Sequence, residues 1–267
     1  MDLQFFCLQS HAPAAGETLR ELLERSLLRA CFQLPLRAVD EWALPEELRE
    51  CAVLPVESGA GEAVAVGAGR LWLLRAEEGA PPQLQSFAGW AGEPLFALRA
   101  AEGLLVATTR GWGLAGAAPT ALELTAVFDW RGGAGQSELL AYAADGRLLR
   151  LGRASYVELM RSSTLQWGLF AGEAVLLKDF LQDTLHALPP AALPAQSLPP
   201  GVLDARRAGE RILLLCIDRL YVRDLHGAPL GELPLSRDVR RVALVAGDLA
   251  VLRAERGSLL VGLHPRP

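Results

Sequence analysis

From about residue 52 onward this chain repeats one local pattern: a short continuous apolar run, a tight turn carrying Gly or Asp, and a second apolar run. Ala63–Val66 and Leu71–Leu74 flank residues 67–69; Leu95–Leu98 and Leu104–Thr108 flank 101–103; Leu139–Ala143 and Leu148–Leu151 flank 145–146. Ala174–Leu177 with Thr184–Leu188, Ile212–Ile217 with Leu220–Leu225, and Val242–Val245 with Leu249–Arg253 repeat it, and Leu259–Leu263 supplies a last strand. Runs this short and uninterrupted read as buried strands, because a helix would space its apolar residues every three to four positions. Asp145-Gly146 between apolar runs is a strong hairpin signal, since Gly accepts positive φ without steric cost.

The turn centres lie about 29 to 43 residues apart, near 36 on average, a period that belongs to solenoids or propellers. Arg223–Leu235 and Arg75–Phe87 each read as a strand end, a turn and a further outer strand, so one repeat holds three or four strands. The fold expected is all-β: a small or degenerate β-propeller of about five to six blades with a short N-terminal helical segment. An open array or a pair of stacked sheets is the competing architecture. About 210 residues is short for six blades of about 40 residues each, so some blades are expected to be three-stranded or missing.

Residues 1–51 read differently and are taken as an appendage to a repeat domain over 52–267. Residues 2–8 read as a short strand, expected to pair with the last blade as strands exchange in related propellers. Thr18-Leu19-Arg20-Glu21 has capping-box spacing. Leu19, Leu22, Leu23, Leu27 and Cys31 follow at helical intervals, predicting an amphipathic helix over 18–32 that either caps an edge or docks into a partner groove. The Pro-rich stretch 189–200 reads as a stiff connecting loop.

The segment Glu210–Gly227, with Arg219-Leu220-Tyr221-Val222-Arg223-Asp224 at its centre, resembles blades of WD40 and quinoprotein-like propellers. Ser137–Gly152 and Gly61–Leu74 are more worn versions of it. No Gly-His opens a repeat and Asp129-Trp130 reverses the usual Trp-Asp order. The chain has no Asn and a single lysine, Lys178. This Arg-rich bias also resembles small bacterial propellers associated with MoxR-type AAA+ ATPases and von Willebrand A proteins. The resemblance implies an architecture that displays sites and has no preferred chemistry.

With a net charge of −5 and no basic run, nucleic acid is not the expected partner. No window has the apolar length of a membrane span, and the N-terminus lacks a signal-peptide pattern. The four cysteines form no C-x-x-C pair and read as free thiols in a reducing compartment, so the expected location is cytoplasmic and no cofactor or metal is expected. His11, His186, His226 and His264 stand in no ligand or catalytic spacing, and no G-x-S-x-G turn occurs. The function expected is a non-catalytic protein-interaction scaffold within a multiprotein assembly, with an AAA+ system as one setting. The alternative is a metal-dependent propeller hydrolase of the lactonase kind, which requires acids converging from inner strands. The candidate partner-binding residues are Trp90, Trp112 and Trp130, near Gly-rich turns, and Leu19, Leu22 and Leu23 on the helix. A rim role for Trp90 or Trp112 predicts that its replacement by Ala spares the melting temperature and abolishes binding.

Overall fold

The computed structural model describes residues 4–8, 51, 53–57, 62–75, 83–132, 137–182, 184–190, 192–193, 195–235, 239–246, 249–254 and 257–262. They form six four-stranded antiparallel sheets, and no helix occurs among the described residues. The predicted helix over 18–32, with Leu19, Leu22 and Leu23, lies outside them. The first strand, β1 (Gln4–Leu8), belongs to the last sheet. The first sheet is β2 (Val53–Pro55), β3 (Glu62–Gly67), β4 (Arg70–Arg75) and β5 (Gln83–Ala88). The second is β6 (Pro94–Ala100), β7 (Gly103–Thr108), β8 (Gly111–Leu114) and β9 (Thr120–Ala121). The third is β10 (Leu124–Gly132), β11 (Ser137–Ala143), β12 (Arg147–Leu151) and β13 (Tyr156–Arg161). The fourth is β14 (Leu165–Ala171), β15 (Ala174–Asp179), β16 (Thr184–Leu188) and β17 (Gln196–Ser197). The fifth is β18 (Val202–Ala208), β19 (Arg211–Cys216), β20 (Arg219–Asp224) and β21 (Pro229–Pro234). The sixth is β22 (Val239–Ala246), β23 (Leu249–Ala254), β24 (Gly257–Gly262) and, last in order, β1.

The pairing of β1 with β24, from Gln4 opposite Gly262 to Leu8 opposite Ser258, joins the two ends of the chain in one sheet, as expected for residues 2–8. It also shows how a short chain builds six complete sheets, where three-stranded or missing blades were expected. The sixth takes its fourth strand from the N-terminus, and β9 and β17 are only two residues long. The strand β17 lies inside the Pro-rich stretch, which therefore does more than connect: Gln196 and Ser197 pair with Leu185 and Thr184.

The apolar runs are continuous because the second strand of a sheet is buried on both faces. Burial is nearly unbroken along β3, β7, β15 and β19, while the outer strands β5 and β13 are largely exposed. The six second strands begin at residues 62, 103, 137, 174, 211 and 249, intervals of 34 to 41. The wider spread of the hairpin spacings has a simple cause. Two of the six hairpins, β6 with β7 and β22 with β23, pair first and second strands, and the other four pair second and third. At Asp145-Gly146 only Gly146 has positive φ, +83°, and its N–H donates to Ala143 O, so this is a type I turn ending in a left-handed glycine. The two-residue I′ geometry appears instead at Ala68-Gly69, with φ of +51° and +73°.

Two compact units divide the chain. One comprises Met1–Gln9, Phe128–Arg131 and Leu159–Pro267, the other Ser10–Val127 and Gly132–Glu158. Each has its core between adjacent sheets. In the first unit, Trp167, Leu169 and Leu176 of the fourth sheet pack with Ile212, Leu214 and Cys216 of the fifth. In the second, Val64, Leu71 and Leu73 pack with Ala97, Leu104 and Val106 around Trp90. Cys216 is a free, buried thiol that burial, with Asp218 adding, pushes up to about 11. At neutral pH it is a thiol and not a thiolate, which is the nucleophile. Iodoacetamide is expected to leave Cys216 unmodified in the folded chain and to label it after denaturation, as read by peptide mass mapping.

Candidate functional site

In the first unit, β15 and β19 are both second strands of adjacent sheets that share a core, so their turns into the third strand lie at the same end. Both turns present large apolar side chains to solvent. Phe180 is 67% exposed and Leu181 81% in the turn after β15, and Ile217 is 48% exposed in the turn after β19. Turn residues are normally polar, so adjacent Phe and Leu at a tip are unusual.

The turn residues Phe180–Gln182 are tied by hydrogen bonds from beneath. Asp179 Oδ1 accepts the Leu181 N–H at 2.9 Å, and its other oxygen accepts the Thr164 hydroxyl. The Phe180 N–H donates to Thr164 O at 2.8 Å. The Thr164 hydroxyl and then the Leu181 N–H hold the Asp179 carboxyl below the usual carboxylate range, so the carboxylate that ties the turn persists into mild acid. Lys178, the only lysine, is buried and its Nζ donates to the carbonyl oxygens of Asp179 and Gln182. A buried ammonium is tolerated where its protons are accepted in this way. The exposed His186 Nε2 hydrogen-bonds to Gln182 Oε1 and, at 2.8 Å, to the Thr184 hydroxyl. The result is an ordered knob that displays Phe180 and Leu181.

The acids on first strands of this unit have another role. Asp129 of β10 is buried; its Oδ2 accepts the Phe170 N–H of β14 at 2.8 Å and Arg207 Nε of β18 at 2.9 Å. Arg207 Nη2 also donates to Trp130 O, and Arg206 Nη1 to Phe128 O at 3.1 Å. Burial raises the Asp129 carboxyl above its usual range, against the opposing pull of Arg207 and of the Phe170 and Trp130 amides. Asp204 of β18 repeats the device: its Oδ2 accepts the Val242 N–H of β22 at 2.8 Å. These carboxylates cross-link neighbouring first strands. Among the described residues, no three His, Cys, Asp or Glu side chains are grouped to hold a metal ion.

Two of the three tryptophans expected on a partner-binding rim, Trp90 and Trp112, lie in the interior. Trp90 and Trp112 are both 0% exposed. Trp90 sits in the core between the first and second sheets, with Nε1 3.4 Å from Ala115 O. Trp112 donates from Nε1 to Gly152 O at 2.9 Å and packs edge-on to Tyr156, centroids 5.8 Å apart. Gly-rich turns near a tryptophan leave its orientation open; here large apolar area and an internal acceptor draw both indoles inward. Trp130 is half-buried, and its carbonyl is taken by Arg207. Phe180, Leu181 and Ile217 were not singled out from sequence. The signal for the first two was present, as an apolar pair inside the turn at 179–183, whereas Ile217 read as the end of a strand.

No protein-family model and no curated protein matches this chain. Solved structures do. The structure of BBS1N in complex with ARL6DN aligns with a TM-score of 0.56 at 12% identity, covering 77% of this chain and 75% of that one. A gluconolactonase from Xanthomonas campestris aligns at 0.51 and 12% identity over 80% and 86% of the two chains. A protein described as a putative gluconolactonase aligns at 0.50 and 13% over 80% and 92%. These likenesses concern fold and give no support to a MoxR association. With its six four-stranded sheets and the join of both chain ends in the last of them, the chain has the β-propeller fold.

Proposed function

We propose that this chain is a non-catalytic interaction scaffold, a subunit of a multiprotein assembly in a reducing compartment such as the cytoplasm, with Phe180, Leu181 and Ile217 in its docking surface. The observation that carries the reading is the ordered knob. Two large apolar side chains are held in water by a turn tied through the Asp179 and Gln182 carbonyls, the Asp179 carboxylate and the Phe180 and Leu181 amides. Preorganised apolar anchors lose little entropy on binding, and such residues dominate interface energetics. The similar BBS1N structure is a complex with ARL6DN, so the fold serves protein recognition there. The similar gluconolactonases keep a hydrolase in view. Against it stands the use of Asp129 and Asp204 as cross-links to backbone amides and to Arg207. The free, buried Cys216 suits a reducing compartment.

The test is a paired affinity purification from the native host with wild-type and Phe180→Ser/Leu181→Ser baits. Both residues are exposed, so the double change is expected to move stability by no more than about 0.5 kcal/mol each. A partner recovered stoichiometrically with wild type is expected to fall at least about tenfold with the variant. Equal recovery with both baits rejects the knob as the docking element.

A further inference from the structure

The second unit contains a cleft of about 350 Å³ that the rim patch does not explain. Its walls are apolar: Leu73 and Phe87 from the first sheet, Leu104 and Leu114 from the second. Three arginines also line it, Arg75, Arg99 and Arg153. Two of them are fixed by one acid. Glu62 is buried, with a side chain 7% exposed; its Oε1 accepts Arg75 Nε at 2.8 Å and Arg99 Nη2 at 2.7 Å, and its Oε2 accepts Arg99 Nε at 2.7 Å. One guanidinium would neutralise this carboxylate. The second leaves the triad with an excess positive charge, and no Nη group of Arg75 is used by Glu62. Arg153 is exposed and meets no hydrogen-bond or ion-pair partner among the described residues. The acid among the described lining residues, Glu102, has Oε1 occupied by the Ser137 N–H at 3.0 Å. Among the described residues, three arginines stand against Glu62 and Glu102 at this cleft, in a chain whose net charge is −5.

A guanidinium presents paired donors that match a carboxylate, and its planar fork is held ready here by Glu62. The volume is at the lower end of the range for small-ligand sites, which suits one compact group. We propose that this cleft binds a carboxylate carried on a compact apolar body, the oxygens facing Arg75, Arg99 and Arg153 and the apolar part lying on Leu73, Phe87, Leu104 and Leu114. A free organic acid and a Glu side chain beside an aromatic residue in a partner's exposed segment share that chemistry. The inference does not depend on the knob of the first unit.

Calorimetric titration of the full chain with phenylbutyrate, with phenylbutanol, and with the capped peptide acetyl-Gly-Phe-Glu-Gly-amide tests it. At least one of the two acids is expected to bind, and phenylbutanol about tenfold or more weaker than phenylbutyrate when the free acid binds. Binding of phenylbutyrate without the peptide identifies a free acid; binding of the peptide without phenylbutyrate identifies a partner side chain; either result supports the site. Arg153→Gln, at an exposed position without partners, is expected to weaken whichever acid binds by about tenfold while leaving the melting temperature unchanged. Arg75→Gln serves as the second variant, with Arg99 left to hold Glu62. No binding of either acid up to about 10 mM, equal binding of phenylbutyrate and phenylbutanol, or an acid affinity unchanged in both variants would overturn the proposal.

Discussion

Replacing Arg207 with Met is expected to destabilise the chain by about 3–5 kcal/mol, because it strands the buried Asp129 carboxylate without its cation. The Phe170 and Trp130 amides remain as donors, but neutral hydrogen bonds alone do not offset the desolvation of a charge. The companion variant Asp129→Asn/Arg207→Met removes the charge and keeps an oxygen for the Phe170 N–H. It is expected to recover much of the loss, with a coupling of about 1–3 kcal/mol between the two sites in a double-mutant cycle. Denaturant unfolding of the four proteins measures it, and strictly additive changes would show that the pair does not act together. The pH dependence has a definite sign. Burial raises the folded-state pKa of Asp129, so the protonated form is favoured in the fold, and this contribution is lost as pH rises through the raised value. Without Arg207 that rise is larger. The deficit of the Arg207→Met protein is therefore largest at neutral pH and shrinks as pH falls toward the ordinary Asp value of about 4.

Trp112→Ala is expected to cost about 3–5 kcal/mol, the range for removing a large buried aromatic. The indole is 0% exposed, its N–H satisfies Gly152 O at 2.9 Å, and its loss also removes the edge-on contact with Tyr156. A midpoint lowered by roughly 6–20 °C is expected in thermal unfolding, at about 2–4 °C per kcal/mol for a chain of this size. This reverses the outcome that a rim position would give. An unchanged melting temperature would mean that Trp112 is not the core residue its burial makes it. Together with the Phe180→Ser/Leu181→Ser pair, the experiment separates residues that hold the sheets together from residues that face a partner.

Much of the fold was legible because its signals are local. A strand covered on both faces must be apolar at every position, so β3, β7, β15 and β19 appear in the sequence as unbroken runs. A turn that needs positive φ must carry Gly or tolerate strain, so Gly146 marks its hairpin. The pairing of β1 with β24 was anticipated from the resemblance to propellers, where strand exchange closes the last blade. The functional surfaces were far less visible. Trp90, Trp112 and Trp130 were grouped by their neighbouring glycines, yet a glycine's φ does not say which way the next side chain turns. Phe180 and Leu181 were read as part of a turn without their exposure, which depends on how Lys178, Thr164 and Asp179 tie that turn.

The sequence by itself determined that this chain repeats short apolar runs from about residue 52 onward, where its hairpins turn, and that it carries a net charge of −5 without a basic run. Those properties are set by composition and by neighbours a few residues apart. Only the tertiary structure decided that all six sheets have four strands, that Trp112 closes onto Gly152 across 40 residues, and that Asp129 is neutralised by Arg207 across 78. Those contacts join separate sheets, and burial and charge pairing at such distances follow from the packing of sheet on sheet.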